Sequence, residues 1–139
     1  MSLATIQTRA SVGLNAPMVH VEVHLSSGLP AFHLVGLPEA AVKESKDRVR
    51  SAIINSQFDF PASRITVNLA PADLPKEGGR FDLAIALGIL LASKQITCSN
   101  IDNYEFLGEL ALSGHLRPVR AVISSAQAAV KDRHLLIVA

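Results

Sequence analysis

Hydrophobic and polar residues alternate strictly in "MVHVEVHL", residues 18–25. Val19, Val21, Val23 and Leu25 share one side, and His20, Glu22 and His24 the other. A period of two is the mark of a half-buried strand, so one face of this sheet is core and the other meets water. Residues 4–10 read as a preceding strand, joined to it by the turn "VGLNAP", whose Gly13, Asn15 and Pro17 favour a bend between extended segments. After "SSGLP", the segment "AFHLVG" gives a third short strand, and the three together predict an antiparallel meander.

The period then changes. Pro38 and Glu39 suit a first helical turn, since proline lacks the donor that position leaves unused and a carboxylate favours the positive end of the dipole. The spacing predicts a helix over 39–56, with Ala41, Val42, Val49, Ala52 and Ile53 as its apolar stripe and Lys43, Lys46, Asp47 and Arg50 opposite. Pro61 forbids its continuation. "RITVNLAP" is again an alternating strand, with Ile65, Val67 and Leu69 inward. A loop over 70–80 opens onto a helix from Phe81 to about Ser93 that is apolar on nearly every side and must be buried all round. "YEFLGELALSG" is extended, Gly114 marks a turn, residues 121–132 form a third helix, and "HLLIVA" reads as a fully apolar strand of the parallel type. The last third therefore runs strand, helix, strand, helix, strand. That order implies right-handed crossovers and an α/β fold of the two-layer α+β kind with three main helices.

Composition narrows the chemistry. At 139 residues and 49% hydrophobic content, the chain suits one globular domain with a substantial core. Its net charge of +1 gives no broad basic field of the kind that marks a dedicated nucleic-acid domain, although a local basic patch is allowed. With one Tyr, five Phe and no Trp there are few platforms for stacking bases. The single cysteine, Cys98, excludes an internal disulfide and a cysteine-rich zinc site, which suits a reducing cytoplasm. The N-terminus lacks signal-peptide order, and the longest apolar stretch, residues 83–92, is about half a bilayer span, so a membrane role is not expected.

The loop "PKEGGRFD" invites a phosphate-binding reading and fails it. Lys76 precedes the glycines, no Lys-Ser or Lys-Thr follows them, and adjacent glycines cannot supply the dinucleotide spacing. A tight turn in front of a buried helix accounts for it, with Asp82 well placed in the first helical turn. His20 and His24 lie about 13 Å apart along one strand, too far to share a metal ion. His33, His115 and His134 carry no pattern. Ser124 and Ser125 lack the surroundings of a nucleophile elbow, and capping or packing explains them. Lys43, Lys46, Arg48 and Arg50 are nearly balanced by Glu39, Glu44 and Asp47, as on a solvated helix face, yet a few aligned cations suffice for contacts to a phosphate backbone.

Three segments, "ITVNLAP", "ADLPKEGGRFDLAIALGIL" and "GLPEAAVKESKDRVRSAI", resemble the N-terminal domain of the ComM (YifB) family of magnesium-chelatase-like proteins, and the similarity runs over essentially all 139 residues. The resemblance implies a Lon-protease-type domain, similar also to one domain of a small-subunit ribosomal protein and to the C-terminal domain of the recombination protein RadA. It implies that residues 1–139 are the N-terminal fragment of a longer protein whose AAA+ portion uses ATP and Mg. That protein would be a hexameric DNA helicase, driving branch migration in natural transformation. By the same resemblance Arg80 stands where Lon proteases carry the nucleophilic Ser, and Ile123 where they carry the activating Lys. Neither side chain can do that chemistry. The family usually has Gly and Pro near 121–124, where this chain has "AVIS".

The expectation is a catalytically inactive domain that contacts single-stranded or branched DNA, neighbouring subunits of the ring, or both. Lys43, Lys46, Arg50, Lys76, Arg80, Arg117 and Arg120 are the candidate residues. A pure interaction or ring-assembly module without DNA contact is the alternative, favoured by the near-neutral charge. An active Ser hydrolase ranks last.

Overall fold

The computed structural model describes residues 2–36 and 38–139. Its centre is a six-stranded mixed sheet. In chain order the strands are β1 (Ser2–Arg9), β2 (Met18–Ser26), β3 (Ala31–Val35), β4 (Arg64–Ala70), β5 (Tyr104–Phe106) and, last in the chain, β8 (Leu135–Ile137); in space they run β3-β4-β2-β1-β5-β8. The short strands β6 (Glu109–Leu110) and β7 (Leu116–Arg117) form a separate antiparallel ribbon.

The alternation in β2 does what its period requires. Val19, Val21, Val23 and Leu25 are buried, and β1 and β4 pair with β2 so that Ile6 and Leu69 flank Val21 on the same face. The expected antiparallel meander is incorrect. β3 does not pair with β2; it lies parallel to β4, which occupies the place beside β2 that β3 was expected to take. The cause is the intervening helix. A strand followed by a helical crossover returns parallel to itself, and the segment between β3 and β4 is long enough for that. Adjacency in sequence was the wrong guide to adjacency in space.

Three helices cover the apolar face. The helix expected over 39–56 is interrupted at Glu44, giving α1 (Ala40–Lys43) and α2 (Ser45–Asn55), with Val42, Val49, Ala52 and Ile53 buried. α3 (Asp82–Ala92) is the central helix, and it is buried on nearly every side as its composition demands. Gly88 lets it approach the sheet: a Cβ there would stand 2.5 Å from Cγ2 of Val23. All three longer helices end alike. Gln57, Lys94 and Arg133 take left-handed φ values of 69°, 61° and 59°, and the next residue's N–H reaches back to the carbonyls of Ile53, Leu90 and Ala129. These are Schellman closures made without glycine.

α4 (Val122–Lys131) lies on the opposite face of the sheet, at its β1-β5-β8 end. Arg9 and Glu105 are on the side away from Ile6, and Arg9 reaches the Ala128 carbonyl and Asp132 in the last turn of α4 and just beyond it. β8 pairs parallel to β5, as its apolar run suggested, but it is an edge strand, with Leu135 62% exposed. Among the described residues, no helix is long and apolar enough to cross a membrane.

Candidate functional site

The loop between β4 and α3 is held by its own charged side chains. Lys76 is almost completely buried, and its ammonium donates to the carbonyls of Gly36, at 2.6 Å, and Pro71. Burial pushes its pKa down from the ordinary lysine value, because it disfavours the charged form. Gly78, at φ +71°, turns the backbone so that its N–H donates to Oε1 of Glu39 at 3.0 Å. The left-handed conformation is the reason for glycine here.

Arg80 points into the fold and is only 6% exposed. Its Nε donates to the Arg9 carbonyl at 2.9 Å, Nη1 to the Arg120 carbonyl at 3.0 Å and Nη2 to Oγ of Ser125 at 3.1 Å. One guanidinium thus ties the loop to β1, to the segment before α4 and to α4 itself. Desolvation lowers its pKa from the ordinary arginine value.

Asp82 begins α3 and does more than complement the helix dipole. Fully buried, it accepts from Ser45 Oγ at 2.5 Å, from Arg48 Nε at 2.6 Å and Nη2 at 3.2 Å, and from the Leu110 N–H at 3.1 Å. The carboxylate therefore joins α2, α3 and β6. Outside these buried groups lies an open cleft of about 500 Å³, lined by Glu39, Glu77 and Glu109, by Arg80 and Arg120, and by Gly78 and Gly79. Among the described residues, no group of three or more His, Cys, Asp or Glu side chains is placed to hold a metal ion.

The comparisons with known proteins bear on this arrangement. The family model described as subunit ChlI of Mg-chelatase matches residues 21–139. The chain belongs to the ChlI family. It is 62% identical over its whole length to competence protein ComM of Haemophilus influenzae, and 60% identical over its whole length to the protein YifB of Escherichia coli K12 and to that of Salmonella typhimurium. It is 43% identical over 132 residues, 95% of the chain, to an uncharacterized Mycobacterium tuberculosis protein, of which it covers 26%. The chain spans about 28% of the length of YifB and 27% of that of ComM.

In this ChlI-family chain the expected cations separate into two groups. Lys43, Arg50, Arg117 and Arg120 are exposed and Lys46 is half-buried, with the Arg50 guanidinium 5.5 Å from the centre of the Phe60 ring. Lys76 and Arg80, candidates for a DNA or subunit contact, belong to the second group: their charged ends serve the fold's own oxygens. Arg80 and Arg120 are brought together in the cleft; the α1 and α2 cations are not among its lining residues.

Arg80 and Ile123, the two residues that the resemblance aligns with the Lon Ser and Lys, are not in hydrogen-bond contact. Ile123 is 77% exposed on the outer side of α4, and Ser125, two residues on, is what meets Arg80. Ala121, just ahead of α4, adopts φ +60° and ψ +37°, a left-handed conformation that glycine would take without strain.

One charged cluster was not anticipated. Buried Glu105 accepts from Arg9 through both its oxygens, at 2.7 and 2.8 Å, and pairs with His134 Nδ1 at 2.8 Å, while Arg9 also holds Asp132 at 2.5 Å. The hydrogen bond that Arg9 donates to Asp132 pulls the Asp132 carboxyl below the usual range, and the one it donates to Glu105 raises Arg9. The available signal was a lone charge in each of two extended segments, "ATIQTRA" and "YEFLG".

Proposed function

We propose that this chain is the non-catalytic, Lon-like N-terminal domain of a ComM-type ATP-driven DNA helicase, a hexamer acting in branch migration during natural transformation. Its part is to make subunit contacts and DNA contacts, while an AAA+ portion elsewhere in the longer protein uses ATP and Mg. The observation that carries this reading is the 62% identity to competence protein ComM over all 139 residues. The site chemistry supports the non-catalytic part. The position equivalent to the Lon nucleophile holds a buried guanidinium, which cannot attack a carbonyl, and its partner Ser125 is itself fully buried.

Between its two contact roles, protein contact has the stronger support. Two of the seven candidate cations are engaged inside the fold, and the cleft beside them carries three carboxylates. The test is fluorescence anisotropy of labelled single-stranded and forked DNA titrated with this domain at about 50 and 200 mM salt. Binding that weakens steeply with salt, and weakens again in Lys43→Ala or Arg117→Ala, supports direct DNA guidance. No binding leaves the subunit-contact role. Salt-independent binding, or ATP hydrolysis by the domain alone, would overturn the division of labour.

A further inference from the structure

Three arginines are withdrawn from solvent, and they are treated differently. Arg9 holds the carboxylates of Glu105 and Asp132, and Arg48 holds those of Asp82 and Glu44. Arg80 is the exception among the described residues: its hydrogen bonds go to two backbone carbonyls and a hydroxyl, and no carboxylate lies within ion-pair distance. A guanidinium has five N–H groups, so two remain after these three bonds. A buried charge without an opposite charge is costly, and the cost falls when a counter-ion arrives.

Arg80 lines the open cleft of about 500 Å³, and exposed Arg120, whose carbonyl accepts from Arg80 Nη1, lines it too. An oxyanion entering there meets two cations in a partly desolvated site, where charge-assisted hydrogen bonds are strong. The rest of the lining chooses among oxyanions. Glu39, Glu77 and Glu109 would repel the neighbouring phosphates of a nucleic acid, which brings a regular series of negative charges. A polypeptide carboxylate with a cation beside it satisfies both halves of the cleft.

We propose that the cleft binds one aspartate or glutamate side chain of a partner protein, flanked by lysine or arginine: the carboxylate on Arg80 and Arg120, the cation on the glutamates. This rests on the protein-contact arm of the reading above and names the chemistry of the contact.

The test is carried out on the 139-residue chain by following the arginine Nε–Hε resonances in NMR. The probes are a blocked Ala-Lys-Glu-Lys-Ala peptide, its all-acidic Ala-Glu-Glu-Glu-Ala counterpart, inorganic phosphate and a thymidine oligonucleotide. The Lys-flanked peptide is expected to move the Arg80 resonance and to bind roughly tenfold more tightly than the all-acidic one, as expected for gaining an opposite charge in place of a like one. Arg80→Ala threatens the fold, so the exposed Arg120 and Glu77 carry the mutational arm. Arg120→Ala weakens the Lys-flanked peptide about tenfold, and Glu77→Gln weakens it a few-fold while leaving phosphate unaffected. A peptide that leaves Arg80 unmoved overturns the proposal, as does an oligonucleotide or all-acidic peptide that moves it more. Loss of the helicase reading would appear separately, as absent ATPase activity in the longer protein, with the peptide titration unchanged.

Discussion

Replacing Asp82 with alanine tests whether the cleft's supporting wall is built as described. The change removes the acceptor of four hydrogen bonds at once, those from Ser45, from Nε and Nη2 of Arg48, and from the Leu110 N–H. Breaking a buried ion pair by deleting one partner typically costs about 3–5 kcal/mol, and orphaning a buried N–H a further ~1–3 kcal/mol. Two features reduce the sum. The Arg48 side chain keeps 20% exposure, and Glu44 already lies 3.6 Å from its Nη1, so the freed guanidinium can turn toward that carboxylate and water. The working figure is therefore about 4 kcal/mol for Asp82→Ala, and about 2 kcal/mol for Asp82→Asn, which keeps one oxygen acceptor.

Against a total of roughly 7–20 kcal/mol for a domain of this size, the alanine variant still folds but is visibly weakened. Urea denaturation measures it: with a slope of about 2 kcal/mol/M, a 4 kcal/mol loss moves the midpoint down by about 2 M. Arg48→Met and the double variant complete a cycle whose coupling energy should be about 2 kcal/mol or more if the pair acts as one unit. A midpoint shift for Asp82→Ala below about 0.5 M, or additive effects in the cycle, would refute the reasoning and return Asp82 to the role of a helix-dipole partner worth under about 1 kcal/mol.

Ala121→Gly is expected to stabilise the domain. A left-handed conformation costs a non-glycine residue about 1–2 kcal/mol, and the extra freedom of the unfolded glycine chain returns ~0.4–1 kcal/mol of that. The net gain of about 0.5–1 kcal/mol should appear as a small rise in the thermal midpoint; a fall would show that Ala121 is not held at φ +60°. Asp132 gives a pH signature. Its carboxyl is depressed in the folded state by Arg9, so the unfolded chain binds more protons as acid is added, and stability present above the unfolded value of about 3.9 is lost as pH falls through the lower folded value. Asp132→Asn should flatten the stability-against-pH curve in that acid window and leave it unaltered near neutrality in slope; an unchanged acid slope would exclude the Arg9 contact.

The legible parts of this fold were those where one strand or helix declares its own environment. Val19, Val21 and Val23 alternate with polar residues because the sheet has one covered face, and α3 is apolar all round because it is covered all round. Pairing was not legible, since β3 carries no mark in its five residues that distinguishes β2 from β4 as its neighbour; the helix that follows it makes that choice. Burial of charge was the least legible of all. Lys76 and Arg80 sit in a polar, glycine-bearing stretch that reads as surface loop, and only the converging carbonyls of Gly36, Pro71, Arg9 and Arg120, drawn from distant parts of the chain, explain why the cations turn inward. The same convergence separates Arg80 from Arg9 and Arg48. Those two carry carboxylates from β5 and α3 as counter-charges inside the fold, whereas the oxygens around Arg80 are neutral and its site opens on solvent. A cation left in that state within a carboxylate-rimmed cleft has its balance completed from outside, and this makes the Arg80 cleft the place to look for a partner protein.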